Sequence, residues 1–306
     1  MIAPSRTSVR SRYHPDVTDV KCALPARAIL GEGALWDVAD QKLYWVDIKG
    51  RLVHRFDPVT GVDQQWAVAE DVGSLAVRTG SGLVLALRSG FHFFDPATGI
   101  TSLVAAPESD RSENRFNDGK PDRRGRFWAG SMHDPETRPT GALYRLDADL
   151  TCTRMTDGLI CSNTLCWSPD GRTMYHADTP TRTVWAWDFD PDSGDIANRR
   201  VFVRVPEHEG APDGATVDAE GFVWIAHWDG WRVTRYDPAG RVARVVPLPV
   251  QRATCPAFGG AQLDVLYVTS ATVGLSEGER ARQPWAGGVL ALDPGVHGLP
   301  EARFRG

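Results

Sequence analysis

One short turn recurs down this 306-residue chain, and it restricts the fold more than any other feature. It reads "FDPVTG" at 56, "FDPATG" at 94, "LDADL" at 146, "FDPDSG" at 189, "YDPAG" at 236 and "LDPG" at 292. From Asp57 to Asp293 the mean spacing is about 47 residues, a period typical of propeller blades in an all-β chain. Between the turns lie short runs of Val, Leu, Trp, Tyr and Phe bounded by Gly, Pro, Asp and Asn. Helical periodicity is nearly absent, so these runs read as strands. Six turns predict an all-β, six-bladed β-propeller.

A second series runs in phase with the first. An aromatic or apolar residue stands three positions before a polar one: Tyr44 and Asp47, Leu85 and Arg88, Trp128 and Ser131, Tyr175 and Asp178, Trp224 and His227, Tyr267 and Ser270. The eleven Trp fit aromatic packing between blades. A closed ring must hide its sheet edges, so the early strand "CALPARAIL" is expected to join the blade of the late strand "GVLALDP".

Stepping back about 11 or 12 residues from each strand aromatic, as a blade period requires, lands on equivalent inner-strand positions. They are Glu32 in "LGEGALWD", Asn117 in "NRFNDGKPD", Asn163 in "CSNTLCWS" and Asp213 in "APDGATVD"; the other two blades give Ser74 and Cys255. Innermost strands border the channel, so two carboxylates and two carboxamides form a ring of oxygen donors. Acidic groups are seldom buried unless paired or bound to a cation. A central site for one hard divalent ion is therefore expected: Ca²⁺, Mg²⁺ or Mn²⁺, with Zn²⁺ or Fe²⁺ also able to use such donors. The competing reading is that these are ordinary turn residues. Against it stand Glu32, which is no turn-former, and the shared register. "NRFNDGKPD" also carries Arg115, Asp118 and Lys120 directly before the apolar "RFWAGSM", and reads as side chains aimed at a ligand.

Composition excludes several function classes. A net charge of −5 leaves no basic field for nucleic acid. No apolar run is long enough to span a bilayer as a helix. The start, "MIAPSRTSVRSRYHPDVTDVK", lacks the apolar block of a secretory signal. Residues 1–20 are expected to be a flexible tail and 21–306 one propeller domain. Cys22, Cys152, Cys161, Cys166 and Cys255 are odd in number and not spaced as CxxC. They read as buried free thiols of a reducing, cytoplasmic compartment. No obligatory protein partner is evident.

"LGEGALWD", "NRFNDGKPDRRGRFWAGSM", "SNTLCWSPDGRTMYHADT", "PDGATVDAEGFVWIAHWDG" and "RQPWAGGVLAL" together resemble the regucalcin and gluconolactonase family, also called the senescence-marker-protein family. The resemblance runs from about residue 28 nearly to the C-terminus. It implies a six-bladed fold that uses one divalent metal to hydrolyse lactones of sugar acids. It implies Glu32, Asn163 and Asp213 as metal ligands, with Arg115 and Asn117 on the substrate and Asn117 close to the metal. Two departures stand out. The family usually has Gly after the ligand Asn, where this chain has Thr164. Some members carry a substrate-binding Glu after "AGSM", for which "HDPETRPTG" offers Asp134 and Glu136.

Lactone hydrolysis needs a polarised carbonyl, an activated water and a stabilised oxyanion. Asp213 beside a metal is suited to general base, and Arg115 to holding substrate oxygens. The rival classes are a metal-binding regulator or scaffold without catalysis, and a phosphotriester or aryl-ester hydrolase. Arg115 favours an enzyme, since cation storage gains nothing from a neighbouring guanidinium. "GLSEG" matches G-x-S-x-G, but no alternating α/β pattern supports Ser276 as a nucleophile, and it reads as a surface loop. "DFDPDSGD" lacks the Gly and late Glu of a calcium loop and reads as a hairpin turn. His133, His176 and His227 read as structural. Asp178 either supports the site or pairs with a turn backbone.

Overall fold

The computed structural model describes residues 19–306; nearly all of the expected tail lies outside the described residues. The described residues form six antiparallel sheets of four strands each. Their first strands are Gly31–Asp37, Val72–Val77, Asn114–Pro121, Ser162–Trp167, Ala211–Val217 and Ala253–Gly259, in blades one to six. Each first strand packs against the first strands of both neighbouring blades, and the sixth returns to the first. They therefore ring a central axis, and all but the leading Ala211 are fully buried. Outermost strands such as Ile196–Arg204 are largely exposed and carry Asn198, Arg199, Arg200 and Arg204. Charge on such an edge discourages pairing with another chain.

The recurrent turn links the third and fourth strands of blades one to five. Asp57, Asp95, Asp190 and Asp237 each accept the backbone N–H two residues on, at 2.8–2.9 Å. Gly61 and Gly99 close their turns with φ near +70°, which only glycine adopts freely. In blade six the same turn follows Val289–Leu292 without a fourth strand behind it. Lys21–Leu24 supplies that strand, pairing Lys21 with Ala291, Cys22 with Leu290 and Leu24 with Val289. The expected closure is thus present. The remaining chain crosses the far face of the ring, where Phe304 N–H donates to Val77 and Arg303 pairs with Asp37 at 2.5 Å.

Aromatic pairs sit at all six blade interfaces. They are Trp66–Phe94, Phe91–Phe116, Trp128–Trp167, Phe202–Tyr236, Trp224–Phe258 and Trp36–Tyr267, with ring centroids 4.9–6.3 Å apart. Each such pair contributes about 0.5–1.5 kcal/mol beyond its buried area. The turn aspartates Asp122 and Asp218 tie in two of these rings, accepting the indole N–H of Trp128 and Trp224 at 2.9 and 2.8 Å.

"NRFNDGKPD" is no turn, in line with its reading as ligand-directed side chains: Asn114–Pro121 is a fully buried inner strand. One local expectation needs correction: "GLSEG" is not a loop throughout, because Ser276 caps the short helix Glu277–Arg282 in a reciprocal capping box with Glu279. The S-x-x-E spacing carried that signal. Among the described residues no helix is long and apolar enough to cross a membrane.

Closure by Lys21–Leu24 makes a direct prediction. Deletion of residues 1–26 removes this strand and bares the edge of Val289–Leu292. Losing about three ladder hydrogen bonds should lower the thermal midpoint by roughly 5–10 °C or cause aggregation. Melting of the truncated chain beside the full chain checks this; an unchanged midpoint contradicts it.

Candidate functional site

Every inner strand shifts register against its neighbour at the same place, near the channel mouth. Bulges of this kind bend a strand and re-aim its side chains. The strand entrances are held from the polar ends of the second strands. Asp47 accepts the N–H groups of Ile29 and Leu30, both at 2.9 Å. Asp178 accepts those of Ile160 and Cys161 at 3.2 and 2.8 Å. Asp178 thus pairs with backbone just ahead of Asn163. His227 does the equivalent in blade five, its Nδ1 lying 2.9 Å from Glu209 O.

These devices bring Glu32, Arg115, Asn117, Asn163 and Asp213 to one pocket. It is a small cavity of about 60 Å³, open at its mouth. All five side chains are buried. Larger grooves exist, such as that between Tyr175, Phe202 and Pro238, but no buried charged residue lines it. Leu30, Cys161, Thr179, Trp228 and Glu136 also line the pocket. The first two had a readable signal: like Arg115, each stands two residues before a ring position and so shares its face of the strand.

Glu32 and Asp213 lie within hydrogen-bonding reach of each other. Burial, then the charge of Asp118, pushes Glu32 up to about 8. Burial and the neighbouring Glu32 raise Asp213 well above the usual carboxylate range. Two acidic groups so placed call for a cation. Asn163 adds a sharper sign. Its Nδ2 donates to Thr179 Oγ1 at 2.8 Å, which fixes the amide, while its Oδ1 is buried without a hydrogen-bond partner. Such an orphaned acceptor is costly unless something binds it. Two carboxylates and a free amide oxygen fit a hard divalent ion. Among the described residues no three His, Cys, Asp or Glu side chains cluster as metal ligands; here the third donor is an amide.

Arg115 and Asn117 are tied together. Arg115 Nη1 donates to Asn117 Oδ1 at 2.8 Å, and Asn117 Nδ2 donates to Ser162 O at 2.9 Å. One lone pair of Asn117 Oδ1 remains for a ligand. Arg115 Nε donates to Asp134 at 2.8 Å. Asp134 also pairs with Lys49 at 3.0 Å and Arg88 at 2.5 Å. Burial would raise Asp134, but these three cations hold it well below the usual carboxylate range. Asp134 is therefore held in an ion network, and Glu136, in a left-handed conformation (φ 55°), is the carboxylate at the pocket mouth.

The raised pKa of Glu32 sets a pH dependence. Without metal, the folded protein keeps a proton up to about pH 8 that the unfolded chain loses near 4.5. The stabilisation is complete below 4.5 and is lost as pH rises through 8. The melting temperature of chelator-treated protein should fall by roughly several degrees from pH 5 to 8.5. A bound divalent ion replaces the proton, so loaded protein should not share this fall. Equal, flat profiles for both forms contradict the assignment.

Residues 30–272 match the family model described as "SMP-30/Gluconolactonase/LRE-like region". Chicken (Gallus gallus) regucalcin is 38% identical over 94% of this chain and 98% of its own. A 6-deoxy-6-sulfogluconolactonase of Pseudomonas putida is 36% identical, covering 94% of this chain and 99% of its own. Among solved structures, a regucalcin from Agrobacterium tumefaciens, described as a calcium-binding protein, superimposes with a TM-score of 0.90 at 30% identity. That match covers 94% of this chain and 98% of the other. The chain belongs to the SMP-30/gluconolactonase/LRE-like family.

Proposed function

We propose that this protein is a metal-dependent lactonase that opens the ring of a sugar-acid lactone to the free acid, serving carbohydrate catabolism in the cytoplasm. The observation that carries the reading is the meeting of two buried carboxylates and an orphaned amide oxygen beside Arg115 in one pocket. Relatives named for lactone hydrolysis support the substrate class. The five unpaired cysteines fit a reducing compartment.

Glu32, Asn163 and Asp213 would hold one divalent ion, with Ca²⁺, Mg²⁺, Mn²⁺, Zn²⁺ and Fe²⁺ as candidates. When bound, such an ion polarises the lactone carbonyl and offsets the oxyanion's charge. Asp213 accepts the proton of the attacking water as its oxygen joins the carbonyl carbon. It returns the proton to the ring oxygen as the C–O bond breaks. Arg115, braced by Asp134 and Asn117, has Nη2 left for substrate oxygens. Asn117 and Glu136, which line the pocket, would bond sugar hydroxyls.

A panel of pentonic and hexonic lactones with five- and six-membered rings, plus an aryl ester and a phosphotriester, tests the assignment. At least one lactone should be turned over, with activity lost to a chelator and restored by a divalent ion. Turnover of only the other esters contradicts it, and metal binding without any turnover points to a regulator.

Two variants separate the roles. Asp213→Asn keeps an oxygen ligand and removes the base, so kcat should fall at least about a hundredfold at saturating metal. Arg115→Ala should raise KM by roughly tenfold, the mark of a lost ground-state contact, and leave metal stoichiometry unchanged. Near-normal kcat for Asp213→Asn, or metal loss in Arg115→Ala, overturns the respective role.

A further inference from the structure

Thr164 follows Asn163 directly, and its backbone is left-handed with φ 60°. Gly33, directly after Glu32, has φ 59°. The two bulges thus require the same conformation at the same place. Glycine meets it without penalty, whereas a β-branched residue adopts it only against steric cost. Thr164 is wholly buried, and its hydroxyl donates to the main-chain carbonyl of Asp213 at 2.5 Å. Thr179 makes a matching contact. It accepts Asn163 Nδ2 at 2.8 Å and donates to the carbonyl of Pro212 at 2.8 Å. Two hydroxyls of blade four therefore grip consecutive carbonyls of blade five. One belongs to the residue after Asn163, and the other orients the Asn163 amide.

We infer that Thr164 and Thr179 form an inter-blade clamp that sets Asn163 Oδ1 against Asp213 and thereby tunes the affinity of the cation site. Both are positioning residues, since both hydroxyls are committed to protein partners. The strain at Thr164 is retained because its hydroxyl gives the buried Asp213 carbonyl a partner that glycine could not. The inference rests on the reading of Glu32, Asn163 and Asp213 as a metal site.

The test is titration of Mn²⁺ into chelator-stripped full-length protein, with free Mn²⁺ read by its electron paramagnetic resonance signal, beside melting of the metal-free protein. Thr164→Gly removes the strain and the hydroxyl together. Its Mn²⁺ Kd should rise about three- to tenfold, the worth of one hydrogen bond, while its melting temperature holds or rises. Thr164→Val keeps the strain without the hydroxyl, so both affinity and melting temperature should fall. Thr164→Ser should bind within about twofold of wild type, as a retained hydroxyl requires. Thr179→Val should weaken binding as Thr164→Gly does, and Thr179→Ser should restore it. If Thr164→Gly and Thr179→Val bind Mn²⁺ like wild type, the clamp is overturned and the metal site stands. If wild type itself binds no Mn²⁺, the metal reading falls and the clamp falls with it.

Discussion

Closure of the ring brings side chains from four different blades to one pocket. The candidate site draws Glu32 from blade one, Arg115 and Asn117 from blade three, Asn163 from blade four and Asp213 from blade five. No blade contains it. Blade six separates Asp213 from Glu32 around the ring, and its outer strand comes from Lys21–Leu24. The short pairing of that strand with Val289–Leu292 therefore helps to hold two carboxylates, on opposite sides of the chain's join, within reach of each other.

The channel interior accounts for its charges in a layered way. Glu32 and Asp213 lie at the strand entrances. One step deeper, Asp118 accepts the N–H of Leu165 at 2.8 Å. Deeper still, Lys120 donates to the carbonyl of Ala215 at 2.8 Å and lies 3.5 Å from Glu301 of the C-terminal segment. Burial alone would lower Lys120, but Glu301 and the other nearby acids raise it and keep it charged. Lys120 thus lies beside Asp118 and Glu301, whereas Glu32 and Asp213 form no ion pair among the described residues, the Arg115 guanidinium of their pocket being committed to Asp134 and Asn117. That contrast is the physical reason to place an exogenous ion at the upper layer. With the C-terminal segment across the far face, the pocket opens where the inner strands begin.

Much of this was legible from the chain alone, and the limits have identifiable causes. The turn aspartates report a local hydrogen bond to the residue two positions on, so their spacing carried the blade count. The ring residues could be aligned because each blade repeats one bulge at one register. The choice between Asp134 and Glu136 was not legible, because it depends on Lys49 and Arg88 from other blades capturing Asp134. Asp178 was ambiguous for a similar reason. Its partners, Ile160 and Cys161, are backbone groups that no side-chain pattern encodes. The burial of "NRFNDGKPD" ran against its turn-like composition, since neighbouring strands and Ser162 satisfy its polar groups.

On the proposed reading, the buried carboxylates Glu32 and Asp213 and the unpartnered Asn163 Oδ1 hold one divalent cation. The most direct measurement is a crystal of the full chain grown with Mn²⁺ and recorded at a wavelength where manganese scatters anomalously. A single anomalous peak within about 2.0–2.6 Å of Glu32, Asn163 Oδ1 and Asp213 is predicted, the range of hard cation–oxygen bonds. Absence of a peak there, with Asn163 Oδ1 instead bonded to a protein donor, would contradict the account.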